Sequence, residues 1–188
     1  MWSRAKSRGG QKMTIAKHVY PGYIGASNTP FDISLEITRP TNTDTYAAQD
    51  LLNGTATTLP YFDFGVANAN RKIIINYASI MTPNYAASLK PTLHFKLYGV
   101  NSPIASCADN AAFNPTYTAL KNRLAGFIDA DAIPVPVGSG AYCLAWTKEQ
   151  KIATLDANGR LYLAAIFTNA YVPLNAETFY ARITGFLQ

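Results

Sequence analysis

The last 29 residues of the chain, Arg160 to Gln188, show apolar and polar positions with a period of two. Successive side chains of a strand point to opposite faces, so this period predicts strands. Toward the start of this stretch both sets of alternate positions are apolar. Leu161, Leu163, Ala165 and Phe167 form one set, and Tyr162, Ala164 and Ile166 form the other. Toward its end only one set of alternate positions is apolar: Phe179, Ala181, Ile183 and Leu187. We predict two strands joined by a long corner, the first covered on both faces and the second with one wetter face.

Shorter segments upstream repeat this period. We predict five more strands, at Phe31–Thr38, Leu59–Phe64, Arg71–Met81, Thr92–Tyr98 and Tyr142–Trp146. Strict alternation from Arg71 onward places two sets of residues on opposite faces: Ile73, Ile75 and Tyr77 against Ile74, Ala78 and Ile80. The same rule makes His94 an exposed strand residue. Pro40 ends the first of these strands, because proline cannot donate to a ladder. The polar run from Thr41 to Gly54 is predicted to be a loop or a short, turn-rich edge.

One segment has helical spacing. Asn114 suits an N-cap and Pro115 suits the first helical position, while Gly126 can close the C-terminus. Between them, apolar residues recur at intervals of three and four: Tyr117, Leu120, Leu124 and Phe127. We predict one short inserted helix here, lying on a sheet.

The strands and the turn signals between them favour an all-β fold. The predicted class is an antiparallel β-sandwich, jelly-roll-like, because the strands do not alternate regularly with helices. We predict an extended basic N-terminal arm at residues 1–28 and one sandwich domain at residues 29–188. A single domain of this length buries about 70% of its unfolded surface, which needs no disulfide.

Charge is scarce and unevenly distributed. Only 14% of the residues are charged, against about 25% in an average globular domain, which favours a surface partly covered by other subunits. The first 20 positions hold no acidic residue and five basic ones: Arg4, Lys6, Arg8, Lys12 and Lys17. The chain has 16 basic and 11 acidic residues, so positions 21–188 hold eleven of each. The body is therefore neutral and the basicity belongs to the arm.

Three interpretations of the arm remain open. It is a tether lying across an acidic partner, with an attraction that salt weakens. Alternatively it is a disordered terminus, with Met13 as a second start of translation. The third interpretation, a nucleic-acid ligand, is disfavoured because such a surface is expected to extend over the folded body, and the body is neutral.

Reactive constellations are sparse. The chain has no G-x-S-x-G elbow, no G-x-x-x-x-G-K-[ST] phosphate loop, no H-E-x-x-H and no C-x-x-C. Carboxylates for glycoside hydrolysis could be chosen from a set that any protein offers: Glu36, Asp63, Glu149 and Glu177. Asp129 and Asp131 could hold calcium, but a solvated loop is preferred because no further acid follows. We expect no enzyme, no cofactor and no metal.

Cys107 and Cys143 are the only cysteines. Two cysteines do not amount to a disulfide framework, so we expect both to be reduced and buried. No apolar run reaches the roughly 18 residues of a membrane span, and no hydrophobic stretch of a secretory signal follows the basic N-terminal residues. We expect a protein made in the cytoplasm, without a membrane partner.

Several segments, in this order, resemble a family of small structural proteins of tailed bacteriophages: Ile37–Leu52 (ITRPTNTDTYAAQDLL), Pro91–Gly99 (PTLHFKLYG), Ala108–Thr116 (ADNAAFNPT) and Ile166–Leu187 (IFTNAYVPLNAETFYARITGFL). Members of this family are usually described as head decoration or cement proteins with a β-sandwich body. The resemblance covers roughly Ile37 to Gln188 and leaves the arm outside.

The resemblance implies a non-enzymatic virion protein on the capsid exterior, made in the host bacterium. Its implied partners are the major capsid protein and further copies of itself, as a homodimer or a homotrimer on a lattice axis. Our candidates for contact with the shell are basic and aromatic residues of the arm: Arg4, Lys6, Arg8, Lys12, Lys17, Tyr20 and Tyr23. The alternative function is a receptor- or glycan-binding module of a phage tail or head fibre. For that alternative, the loop with Asn169, Tyr171 and Asn175 would supply exposed aromatic and amide groups.

Overall fold

The computed structural model describes residues 28–56, 58–84, 93–98, 108–115, 124–130, 135–138, 141–144 and 150–188. Eleven strands lie in these ranges: β1 (Thr29–Thr38), β2 (Leu51–Leu52), β3 (Tyr61–Asp63), β4 (Lys72–Thr82), β5 (Leu93–Tyr98), β6 (Leu124–Ala130), β7 (Val135–Gly138), β8 (Ala141–Leu144), β9 (Lys151–Thr154), β10 (Arg160–Phe167) and β11 (Thr178–Leu187). The only helical segment among the described residues is a single 3₁₀ turn at Val66–Asn68.

The strands form two antiparallel sheets. The first sheet has the order β1-β11-β4-β8-β7, and β9 pairs with β4 beside β8. The second sheet has the order β2-β10-β5-β6, and β3 pairs with β10 beside β2. The pairing is nested along the sequence. The first and last strands, β1 and β11, pair with each other, and so do β5 and β6 in the middle of the chain. One long antiparallel ladder wrapped into two sheets is the arrangement of a jelly roll, so the predicted fold class is confirmed.

The two sheets enclose one apolar core. The first sheet contributes Ile73, Ile75, Ala78, Ile80, Phe179, Ala181 and Ile183 to it, and the second contributes Leu161, Leu163, Ala165 and Phe167. A smaller cluster covers the opposite face of β10, where Leu51, Leu59 and Phe113 pack around Tyr162, Ala164 and Ile166. The predictions that β10 is covered on both faces and β11 on one are therefore confirmed.

The strands predicted from alternation are present as β1, β3, β4, β5, β8, β10 and β11, with ends shifted by at most two residues. The polar run from Thr41 to Gly54 contains only the two-residue strand β2, as predicted for a short edge. The side chain of His94 is not among the described parts of the structure.

The predicted helix is wrong from Leu124 onward. Leu124–Ala130 is strand β6 and pairs with β5 in antiparallel register. The segment from Leu124 to Ile128 is apolar at nearly every position, so it fits a strand as well as a helix, and pairing with β5 decides between them. Asp129 belongs to this strand and not to a loop. Tyr117, Leu120 and Asp131 lie outside the described residues.

A β-bulge corrects the predicted facing of β4. Thr184 and Gly185 of β11 pair with Tyr77 and Ile75, which leaves Asn76 as an extra residue. One extra residue turns every following side chain to the other face. The predicted placement of Ala78 and Ile80 on the face opposite Ile73 and Ile75 is therefore wrong, since all four residues share the core. The predicted placement of Ile74 opposite Ile73 and Ile75 is confirmed.

The bulge requires a glycine opposite it. A Cβ atom on Gly185 would lie 1.8 Å from the carbonyl oxygen of Ile74 and 3.0 Å from the ring of Phe31. The oxygen belongs to a backbone that is paired on both sides, so it cannot move away cheaply.

We expect Gly185→Ala to lower the free energy of unfolding by about 3 kcal/mol, the upper end of the range for an overpacked core. The matched control is Thr184→Ala, one residue away on the outward face of β11, which should change it little. Urea denaturation of both variants measures the difference. Equal stability of the two variants would contradict the assigned close approach.

Candidate functional site: the exposed face of the first sheet

The outward face of the first sheet presents an apolar row. Pro30 of β1 pairs with Phe186 of β11, Phe186 pairs with Ile74 of β4, and Ile74 pairs with Ile152 of β9. We call these four residues the apolar row. Directly opposite side chains of adjacent strands are in contact range, and three strand spacings of about 4.8 Å make the row about 14 Å long.

The row is partly uncovered. Phe186 and Ile74 are half-buried, Pro30 is exposed, and Ile152 is 53% exposed. Their chain neighbours Leu187, Ile73 and Ala153 point into the core, so alternation fixes the row on the outside. A single exposed aliphatic residue needs no explanation, but a row across four strands is the pattern of a contact surface.

Polar side chains border this row, and two of them form a charged pair. Arg182 donates to both carboxylate oxygens of Asp32, from Nε at 2.7 Å and from Nη2 at 2.5 Å. These hydrogen bonds hold the pKa of Asp32 below its ordinary value. Tyr180 donates to the hydroxyl of Ser34 at 2.8 Å. The surface therefore combines an apolar row with a fixed polar border, as the contact surfaces of protein interfaces do.

Buried polar groups lie elsewhere, at the corners where the chain passes between the sheets. The side chain of Arg39, at the end of β1, is fully buried. Its Nε donates to the hydroxyl of Tyr46 at 2.5 Å, and that hydroxyl donates to Asp109 Oδ1 at 2.5 Å. Arg39 Nη2 lies 3.1 Å from Asp109 Oδ2 without hydrogen-bond alignment, so this last contact is an ion pair alone. Together these contacts fix the corner after β1.

Glu177 organises the corner before β11. It is 2% exposed, and its carboxylate accepts hydrogen bonds from the hydroxyls of Thr82 and Tyr171 and from the backbone N–H of Leu174. Asn84 in turn donates to the Tyr171 hydroxyl at 2.9 Å. The carboxylate is thus surrounded by donors and is not presented to solvent.

The two corners are joined to each other. Tyr46 and Tyr171 exchange backbone hydrogen bonds of 2.9 and 3.2 Å, and the ring of Phe167 packs against both of their rings, with centroids 4.0 and 5.5 Å away. We call Arg39, Tyr46, Asp109, Tyr171 and Glu177 the corner cluster. Burial, and then the hydrogen bond to a carboxylate, raises the pKa of Tyr46 and of Tyr171. Both tyrosines therefore remain hydroxyl donors at neutral pH, which suits a structural role.

The sequence-based site residues are placed only to a limited extent. All seven candidates for shell contact lie in residues 1–27, which are outside the described residues: Arg4, Lys6, Arg8, Lys12, Lys17, Tyr20 and Tyr23. Cys107 and Glu149 are also outside the described residues. The loop proposed for glycan binding lacks the aromatic group assigned to it, because the ring of Tyr171 is fully buried in the core. Asn175 of that loop is exposed.

The carboxylates considered for hydrolysis do not converge. Glu36 lies on the outward face of β1, Asp63 ends β3 in the second sheet, and Glu177 is enclosed in the corner cluster. Within the described ranges, no three His, Cys, Asp or Glu side chains are grouped so that they could hold a metal ion. In the stretches of chain that the structure covers, no helix is long and apolar enough to cross a membrane.

Fold and surface define a jelly-roll sandwich with one exposed apolar row. Comparisons with known proteins add no closer relationship: no family model, no curated protein and no solved structure matches the chain.

Two Arg–Asp pairs in different surroundings allow a matched test of the corner cluster. We expect Arg39→Met to lower the free energy of unfolding by about 3–5 kcal/mol, because it leaves the carboxylate of Asp109 buried without its cation. Arg182→Met removes an exposed pair and should leave the melting temperature nearly unchanged. Thermal and urea unfolding measure both variants. Similar melting temperatures for the two would contradict a stabilising role for the corner cluster.

Proposed function

We propose that this chain is a structural protein of a tailed-phage virion, which binds the outside of the capsid lattice and cements neighbouring major capsid subunits. The observation that carries the proposal is the apolar row on the outward face of the first sheet. It lies on four paired strands, so a partner would meet it as a preformed surface with little ordering cost. The resemblance of four sequence segments to phage decoration proteins supports the identity of the partner.

In this proposal the protein acts by binding and carries out no reaction. A protein that binds the assembled lattice but not separate subunits stabilises the lattice by mass action. The apolar row would supply buried area at the joint between two subunits, and the Asp32–Arg182 pair beside it would fix the orientation. The basic residues of the arm would add an attraction to acidic groups of the shell, which salt would weaken.

Self-association belongs to the same proposal. A homodimer or a homotrimer would place several apolar rows around a symmetry axis of the lattice. The scarcity of charge, 14% of residues, supports a body whose surface is partly covered by copies of itself and by the shell.

A receptor- or glycan-binding module remains the alternative function. The described residues of the loop around Asn169 offer amide groups, but the Tyr171 ring is enclosed and cannot stack on a sugar. The cement function is therefore the better supported of the two.

The binding test compares two exposed aliphatic residues. Ile152 belongs to the apolar row, whereas Val66 lies in the 3₁₀ turn after β3 and is 74% exposed. We expect Ile152→Asp to weaken binding to empty shells of the major capsid protein by about tenfold to a hundredfold, since burying one Ile side chain is worth about 1.5–3 kcal/mol. Val66→Asp is the matched control and should bind like the unaltered protein.

Co-sedimentation with shells over a range of protein concentrations gives the two dissociation constants. If Ile152→Asp and Val66→Asp bind alike, the apolar row is not the contact surface. If the unaltered protein does not bind shells at all, the cement function is wrong.

A further inference from the structure

The sequence contains two Asn-Gly pairs, Asn53-Gly54 and Asn158-Gly159. In such a pair the backbone nitrogen of the glycine can attack the side-chain carboxamide of the asparagine, because glycine has no Cβ atom to hinder the approach. The two pairs are equivalent in this local chemistry, and the structure describes both of them. Their surroundings in the fold therefore determine which pair reacts.

The carboxamide of Asn53 is held in place on both sides. Asn53 is 2% exposed, and its Nδ2 donates to the backbone carbonyls of Ala56 at 3.2 Å and Thr58 at 3.1 Å. Its Oδ1 accepts a hydrogen bond from the backbone N–H of Gly54 at 2.8 Å. Gly54 is also confined, since a Cβ atom there would lie 3.0 Å from the carbonyl oxygen of Thr38. The carboxamide can rotate toward the glycine nitrogen only if these contacts open together.

Asn158 is in a different position, in the turn between β9 and β10, where it is exposed to solvent. The hydrogen bonds of this turn hold its main chain. The backbone N–H of Asn158 donates to Asp156 Oδ1 at 2.8 Å, and the N–H of Gly159 donates to the carbonyl of Asp156 at 3.1 Å. The latter bond closes the turn, so it can open by a local fluctuation that unfolds neither sheet.

The fold requires the glycine that makes Asn158 reactive. Gly159 has a φ of +75°, and a Cβ atom there would lie 2.0 Å from the carbonyl oxygen of Gly65. The carbonyl of Gly159 accepts a hydrogen bond from the N–H of Phe64 at 2.9 Å, which joins the turn to the loop after β3. A larger residue at position 159 would disrupt this packing.

We propose that Asn158 is a site of spontaneous deamidation in the folded protein and that the fold protects Asn53 from the same reaction. The nitrogen of Gly159 forms a bond to Cγ of Asn158, the bond between Cγ and Nδ2 breaks, and ammonia leaves with the proton of the glycine N–H. Water then opens the resulting succinimide ring at either of its carbonyls, which gives aspartate or isoaspartate. The inference does not depend on the cement function.

Isoaspartate at position 158 changes the turn, because its main chain runs through the former side chain and is longer by a methylene group. Two hydrogen bonds span the turn. The N–H of Arg160 donates to Asp156 Oδ1 at 2.8 Å, and the N–H of Asp156 donates to the carbonyl of Arg160 at 3.0 Å. A longer main chain between these residues weakens both bonds and displaces the carbonyl of Gly159 from Phe64. The modification therefore loosens the connection between β9 in the first sheet and β10 in the second.

Peptide mapping of the full chain by tandem mass spectrometry tests the proposal. During incubation at mildly alkaline pH, we expect Asn158 to be converted to the acid at least about tenfold faster than Asn53, because a turn opens more readily than a buried segment. A methyltransferase specific for isoaspartate should label position 158. In concentrated urea the two pairs should react at similar rates, because the fold no longer distinguishes them.

Equal rates for the two pairs in the folded chain overturn the proposal, as does faster conversion of Asn53. An Asn158 that reacts in urea but stays unmodified in the folded chain also overturns it.

The matched control is Asn158→Gln, which keeps an amide at this position but forms the larger cyclic imide far more slowly. It should show no methyltransferase label at position 158. After equal incubation, we expect the backbone amides of Phe64 and Arg160 to exchange with solvent about tenfold faster in the isoaspartate form than in the control. Equal exchange of these amides would contradict the proposed loosening of the turn.

Discussion

The register of the strand pair β1–β11 depends on the buried contacts at the two corners where the chain crosses between the sheets. Arg39 and Glu177 occupy these corners and are almost fully removed from water. Burying a charge is costly unless it is paired and hydrogen-bonded, so each charge accepts only the arrangement that satisfies it. The backbone N–H of Arg39 donates to the carbonyl of Glu177, which couples the end of β1 to the start of β11. The outer strand pair of the jelly roll is therefore fixed in register from its crossover end.

The register that this corner fixes determines which side chains of the first sheet face outward. The bulge at Asn76 keeps both halves of β4 in the core, and it leaves Ile74 on the outside between Phe186 and Ile152. Without the extra residue, the two halves of β4 would present opposite faces and the core would lose Ala78 and Ile80. The apolar row thus results from the same constraint that completes the core, and Gly185 permits the close approach on which both depend.

Alternation along the chain was enough to predict seven of the eleven described strands and the class of fold, because a period of two is local information. It predicted β10 and β11 together with their covered faces. It could not predict the bulge at Asn76, since a bulge is decided by pairing with β11. Nor could it separate helix from strand at Leu124–Phe127, where apolar residues at most positions fit both. The corner cluster was missed because nothing adjacent in sequence marks Arg39 as a buried residue, and its partner Asp109 lies 70 positions away.

The apolar row on the first sheet is the surface that the proposed cement function assigns to contact with other chains. The partner proposed for this row is a regular lattice of capsid subunits. The most direct measurement is the number of copies of this chain per major capsid subunit in purified particles from its source. The proposed cement function predicts a simple whole-number ratio, as expected for occupation of lattice sites. A handful of copies per particle, or none, would contradict it.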